Sequence, residues 1–263
     1  MLKATKYKSG YDYNSTYFEN NLNFKDIPSI FIHGVGLDVS MWSKQKNYFK
    51  KNTLYYDLLN HGNTKKKIKI IKYSDFNFQL KELINFFNLK KVNLIGFSIG
   101  GIIALNFSSN YKKLVNKLVL ISTVHNRSNE QKKLVLSRYK QAIEGKSISN
   151  LAINRWFSKE YLKKKPIVYK NFFNLLEKNK KTDFLPVYKI FANTNKLKID
   201  FKKFNIPTLI ITGQNDLNST PIMSNKLSKK IKNSKLKIIP EGKHMAIYEK
   251  SNLVNLEIKS FLK

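Results

Sequence analysis

Short apolar runs bounded by turn residues recur toward both ends of the chain. Positions 27–32, between Asp26 and His33-Gly34, read as a buried strand. Positions 53–59, rich in Tyr and Leu, read as a second that ends at Asn60-His61-Gly62-Asn63. The segment 74–88 carries Phe76, Leu80, Leu83, Ile84 and Phe87 at helical spacing, with Ser74 in the N-cap place. Further strands are predicted over 92–95, 118–121, 207–213 and 236–240. Helices are predicted over 102–110, 224–232 and 253–262. Strands that alternate with helices imply a parallel sheet covered on both faces, an α/β class.

The alternation breaks over 124–205. That segment lacks β-type runs and shows helical periods instead, as at Leu134, Leu136, Tyr139 and Ile143, and again at Phe184, Val187, Tyr188 and Phe191. Inserted between two core strands, it reads as a helical cap over one end of the sheet. The expected organisation is a core of 1–123 and 206–263 with a cap, or lid, of 124–205. No internal repeat or low-complexity linker is present.

Composition narrows the class. At 263 residues and 42% hydrophobic, the chain can bury a substantial core as one large domain, or as a core with a smaller inserted unit. The absence of Cys excludes a disulfide scaffold, a Cys-based zinc site and a thiol nucleophile. Residues 1–8 lack the apolar run of an export signal, and no run of eighteen apolar residues occurs. The expectation is a soluble cytoplasmic protein, monomeric or homodimeric, with no membrane partner.

A net charge of +32 raises the question of nucleic acid. The distribution argues against it. The segment 124–205 carries +14 over 82 residues, against about +10 for uniform spreading, and nearly all the basic residues are Lys. Runs such as Lys65-Lys66-Lys67 and Lys163-Lys164-Lys165 read as solvated faces rather than a binding stripe.

The chemistry concentrates at Gly96-Phe97-Ser98-Ile99-Gly100, a G-x-S-x-G pattern with an apolar strand before it and an apolar helix after it. In that setting a serine sits on a strained strand-to-helix turn, its Oγ exposed above the sheet. The alternative reading is an ordinary Gly-rich turn.

With this turn in place the chain resembles the α/β-hydrolase family, in its capped esterase and lactonase branch, from about Pro28 onward. The resemblance rests on Phe31-Ile32-His33-Gly34-Val35-Gly36-Leu37-Asp38 with Trp42, and on Tyr56-Asp57-Leu58-Leu59-Asn60-His61-Gly62. It continues through Gly96 to Gly101, Gly213-Gln214-Asn215-Asp216 with Pro221, and Gly242-Lys243-His244. It implies an α/β-hydrolase fold with Ser98 as nucleophile and His244, in the loop after the last strand, as its base. Asp216 follows a strand in the Ser…Asp…His order of this fold and is the expected acid. Asp57 is the rival carboxylate, used structurally in the family. Backbone N–H groups of Val35 and Ile99 are the implied oxyanion donors. His33 and His61 stand in family-typical loops where an orienting role is implied. His33, His125 and Trp156 are candidates for contact with substrate, and Arg127, Arg138, Arg155 and Phe157 could contribute from the cap.

The implied activity is cleavage of a carboxylic ester or lactone through an acyl-enzyme, without metal or organic cofactor. Serine rather than Asp at the turn disfavours dehalogenase and epoxide hydrolase chemistry. A C–C bond hydrolase or an acyltransferase would share every motif quoted, and a slow-turnover signalling receptor of this fold could keep the same residues. The expected partner is a small ester or lactone, with an anionic group or an acidic carrier protein favoured by the cap arginines.

Overall fold

The computed structural model describes residues 7–201 and 204–263. Residues 1–6, within the stretch read for an export signal, and Lys202 and Lys203 of the expected cap lie outside the described residues.

Eight strands form one sheet in the order β1-β2-β4-β3-β5-β6-β7-β8. The six predicted strands are β3 (Ser29–Ile32), β4 (Thr53–Tyr56), β5 (Val92–Phe97), β6 (Val115–Ile121), β7 (Thr208–Gly213) and β8 (Ser234–Ile239). They pair in parallel throughout. Every residue of β3, β4, β5 and β7 is buried, as a parallel sheet covered on both faces requires. Strand β8 at the edge alternates instead, with Lys235 and Lys237 turned outward, and charge on an edge discourages further pairing.

The other edge is an antiparallel pair, β1 (Lys8–Tyr11) and β2 (Tyr17–Asn20), with β2 also antiparallel to β4. No apolar run announces these four-residue strands. Their anchor is Phe18, which packs edge-on to Phe87 at 4.8 Å between centroids.

Strand periodicity of two sorts the core into two layers. Ile30, Ile32, Leu54 and Leu94 face helices α2 (Tyr73–Phe86) and α3 (Ile99–Asn110). Phe31, Tyr55, Ile95 and Ile211 face the opposite layer with Trp42, where Phe31 stacks on Tyr55 at 4.6 Å. Helix α1 (Ser43–Tyr48), not predicted from sequence, lies on this side, where Gln45 Nε2 donates to Ile247 O at 2.9 Å.

Helix α2 corrects one expectation. Its N-cap is Lys72, not Ser74, because the Asp75 carboxylate accepts the Lys72 N–H at 2.7 Å and closes the first turn two residues earlier.

Between β6 and β7 the described residues hold five α-helices, a short 3-10 turn at Thr194–Lys196 and no strand: α4 (Asn129–Ile143), α5 (Ser149–Trp156), α6 (Lys159–Lys164), α7 (Pro166–Glu177) and α8 (Lys181–Ala192). Ser128 and Gln131 close a reciprocal capping box at α4, and Ser158 caps α6. After β7 come α9 (Pro221–Lys230), opened by Thr220 and Pro221 three residues before the predicted start, then α10 (Ala246–Glu249) and α11 (Ser251–Leu262). Among the described residues no helix is long and apolar enough to cross a membrane.

Candidate active site

Ser98 joins β5 to α3 with φ 55° and ψ −116°, a conformation that costs a non-glycine residue energy and persists only where its surroundings enforce it. The enforcement is local. Ser98 N–H donates to Ile121 O at 2.9 Å, continuing the β5–β6 ladder, and Ser98 O accepts from Gly101 N at 3.1 Å. A Cβ at Gly96 would strike the Gly100 carbonyl, and one at Gly100 would strike the Ile32 carbonyl, so only glycine lets the turn close. Ile99 opens α3, and the N–H of a first helical residue has no acceptor within its helix.

Asp216 lies just past β7 and His244 in the loop after β8. His244 Nδ1 donates to Asp216 Oδ2 at 2.8 Å, and both side chains are buried. The other carboxylate oxygen accepts the N–H groups of Asn218 at 2.8 Å and Ser219 at 3.0 Å, so three donors hold the carboxylate. With Nδ1 engaged, His244 Nε2 is the nitrogen left to exchange a proton. From the end of β6, Ser122 Oγ donates to the His244 carbonyl at 3.0 Å, and the Phe97 ring lies 5.0 Å from the imidazole.

Ser98 and His244 line one cavity of about 220 Å³, together with Gly34 and Val35 of the loop after β3. The insertion between β6 and β7 supplies much of the remaining lining, including Arg127, Arg138, Arg155 and Trp156. Ser98, expected to be exposed above the sheet, is only 3% exposed and lines this cavity instead of facing bulk solvent. The arrangement joins a hydroxyl on a strained turn, an imidazole oriented by a carboxylate, and backbone N–H groups at a helix start, the elements of acyl transfer.

A family model described as the alpha/beta hydrolase fold matches residues 30–251. The chain belongs to the α/β hydrolase fold family. Among curated relatives it is 26% identical over 238 residues to the (E)-2-((N-methylformamido)methylene)succinate hydrolase of Acinetobacter baylyi, covering 89% of this chain and 90% of the relative. It is 28% identical over 255 residues to the pimeloyl-[acyl-carrier protein] methyl ester esterase of Wigglesworthia glossinidia brevipalpis, covering 89% and 93%. Of solved structures, the enol-lactonase of Burkholderia xenovorans superimposes with a TM-score of 0.85 at 18% identity, covering 97% of this chain and 99% of that one. These relatives are hydrolases of the same fold.

Not every candidate of this α/β hydrolase reaches the cavity. His33 is fully buried, donates through Nδ1 to Gly34 O at 2.8 Å and accepts the Leu58 N–H on Nε2 at 3.0 Å, so it has no nitrogen for substrate. Burial lowers its pKa to about 4. His61 accepts the Gly36 N–H on Nε2 at 2.9 Å and donates from Nδ1 to Leu59 O at 3.0 Å. Burial first, and the neighbouring His33 second, lower its pKa to about 3. Both imidazoles stay neutral and brace the loop that carries Val35. His125 lines a separate cavity with Phe201 and Lys230, away from Ser98. Of the three residues expected to contact substrate, only Trp156 lies on the Ser98 cavity.

Asp57 is fully buried and accepts Val39 N–H at 2.8 Å and Asn63 N–H at 2.7 Å, one on each oxygen. Burial raises its pKa to about 7. It organises two loops and leaves His244 to Asp216.

Two neighbours of the site have no sequence signal. Ser122 reads as an ordinary serine after a strand, yet it holds the His244 backbone. Asn179 Nδ2, between α7 and α8, donates to Gly36 O at 2.9 Å and ties the insertion to the Val35 loop.

Proposed function

We propose that this α/β hydrolase cleaves a carboxylic ester or lactone through an acyl-enzyme formed on Ser98. The observation that carries the reading is the 2.8 Å bond from His244 Nδ1 to Asp216, made where His244 and Ser98 line the same cavity. A serine hydroxyl is a weak nucleophile until a base takes its proton as it attacks. His244 Nε2 takes that proton while Asp216 holds the tautomer and stabilises the imidazolium that forms. The carbonyl oxygen, now an oxyanion, is received by the N–H groups of Val35 and Ile99.

Collapse of the tetrahedral intermediate breaks the ester C–O bond, and His244 returns the proton to the departing alkoxide. For a lactone the alkoxide remains tethered to the acyl group. His244 then takes a proton from water as it attacks the acyl-enzyme, and Ser98 is regenerated with release of the acid. Helices α4 to α8 act as a cap that keeps bulk water from the cavity during acylation. The Wigglesworthia esterase supports the ester and lactone class, as does the 3-oxoadipate enol-lactonase 2 of Acinetobacter baylyi, a curated relative 19% identical over 236 residues.

A fluorophosphonate probe with a panel of acyl esters and lactones tests the reading. Wild-type protein labels at Ser98 and turns over at least one member of the panel. Ser98→Ala, with an unchanged circular dichroism spectrum, does neither. Equal labelling of the variant would overturn the assignment.

A further inference from the structure

The chain contains 46 Lys and only three Arg, at positions 127, 138 and 155. All three arginines line the Ser98 cavity, whereas among the described residues only two lysines do, Lys146 and Lys181. The chain meets its general need for positive charge with lysine and places every planar guanidinium around one hollow. A guanidinium differs from an ammonium in presenting a rigid fork of donors that matches the two oxygens of a carboxylate.

The cluster has no carboxylate partner among the described residues. Glu177, the one carboxylate on the cavity wall among the described residues, already accepts from Ser147 Oγ and Ser149 Oγ. Burial first, and then the charge of Arg138, pull the pKa of Arg155 down to about 10. Burial also dominates for Arg127, again lowered to about 10, with Arg138 opposing its charge and Tyr73 favouring it.

Arg127 has a structural hold. Its Nη1 donates to Phe191 O at 2.9 Å and its guanidinium lies 4.5 Å from the centre of the Phe191 ring. Arg155 differs, because its Nε is buried without any acceptor. A buried charged donor left without a partner is costly, and a bound anion removes that cost.

We propose that Arg138 and Arg155, backed by Arg127, form a carboxylate-binding subsite in the lining that the insertion gives to the Ser98 cavity, so that the ester or lactone bears a second, anionic carboxylate. The proposal rests on the Ser98 hydrolase reading for its chemistry but not for its binding. The ester carbonyl lies at Ser98 while the remote carboxylate is gripped by the α4 and α5 arginines. Anchoring at the far end converts binding energy into orientation of the reacting carbonyl.

Glutarate and its neutral analogue glutaramide, titrated by calorimetry into the Ser98→Ala protein, test the subsite without turnover. Glutarate binds at least about tenfold more tightly than glutaramide. Arg138→Gln and Arg155→Gln, each introduced beside Ser98→Ala and checked by melting temperature, weaken glutarate by about tenfold or more. With Ser98 intact, either arginine variant lowers the ratio of kcat/KM for monomethyl glutarate to that for dimethyl glutarate by a similar factor, mainly through KM.

Equal binding of glutarate and glutaramide, or glutarate binding that survives in both variants, would overturn the subsite. Competition by inorganic phosphate as strong as that of glutarate would replace the carboxylate with a phosphate group and overturn it as well. Arginine-dependent glutarate binding without hydrolysis of any ester would leave the subsite standing and sink the hydrolase reading instead. Hydrolysis without charge preference would do the reverse.

Discussion

The backbone N–H of Met245 donates to the carbonyl oxygen of Trp156 at 2.9 Å. The residue after His244 thus hangs directly from the end of α5, and the Trp156 ring lies 6.2 Å from the imidazole. Beside this bond, Lys243 Nζ donates to Asn154 O at 3.2 Å. Glu249 accepts both the N–H and the hydroxyl of Ser158. Four hydrogen bonds therefore join the insertion to the histidine loop and the short helix after it.

Glu249→Ala removes two of these ties without touching the cavity. It should lower turnover of any ester substrate by between about ten- and a hundredfold, the range expected when a reacting group shifts by up to an ångström. Measuring kcat and KM separately checks it, because the loss belongs in kcat. An unchanged kcat would mean that the histidine loop holds its place without the insertion.

The two buried aspartates should part company on mutation. Asp216→Asn takes the acceptor from His244 Nδ1 and should cut turnover by roughly 10⁴. Asp57→Asn puts an NH₂ opposite a backbone N–H, Val39 or Asn63, and should cost about 1–3 kcal/mol of stability. It should leave turnover per folded molecule within a few-fold of wild type. Denaturant melts beside rate measurements separate the two, and an inactive but fully stable Asp57→Asn protein would exchange their roles.

The paired histidines of the Val35 loop make acid stability a readout of their burial. His33 and His61 have folded pKa values lowered to about 4 and about 3, whereas in the unfolded chain each titrates near 6.5. Below pH 6.5 the unfolded chain binds protons that the folded one refuses, so stability falls as pH drops from about 6.5 toward 4 and below. Each titrating group adds at most about 1.4 kcal/mol per pH unit. Asp57, raised to about 7, works oppositely, favouring the folded state as pH falls from 7 to near 4. His125 is lowered as well and Asp12 raised, so lowered histidines outnumber raised aspartates by three to two. The melting temperature should decline from pH 6.5 to 4.5, and His61→Gln should flatten that decline. A slope identical to wild type would show that His61 titrates alike in the folded and unfolded chain.

Much of the fold was legible because its constraints are local. A run such as Leu94-Ile95 must be buried on both faces, and the glycine at 96 is demanded by the Gly100 carbonyl within the turn itself, although the glycine at 100 answers to the Ile32 carbonyl of the neighbouring strand. The hairpin of β1 and β2 was not legible, since four-residue strands with one buried phenylalanine carry no period. The N-terminus of α2 was misplaced by one competing signal, the reach of Asp75 back to Lys72.

For the site, the sequence by itself determined the candidates: a serine on a strand-to-helix turn, an aspartate after a strand, a histidine in a late loop and three arginines in an inserted segment. The tertiary structure decided which of them meet. It brought Asp216 against His244 from 28 residues away, turned His33 into the wall and sent His125 to another cavity. It also gathered all three arginines around Ser98. The physical reason is range. A turn or a strand period is fixed by sterics within a few residues, whereas the partner of a buried polar group depends on which distant elements the core presses together.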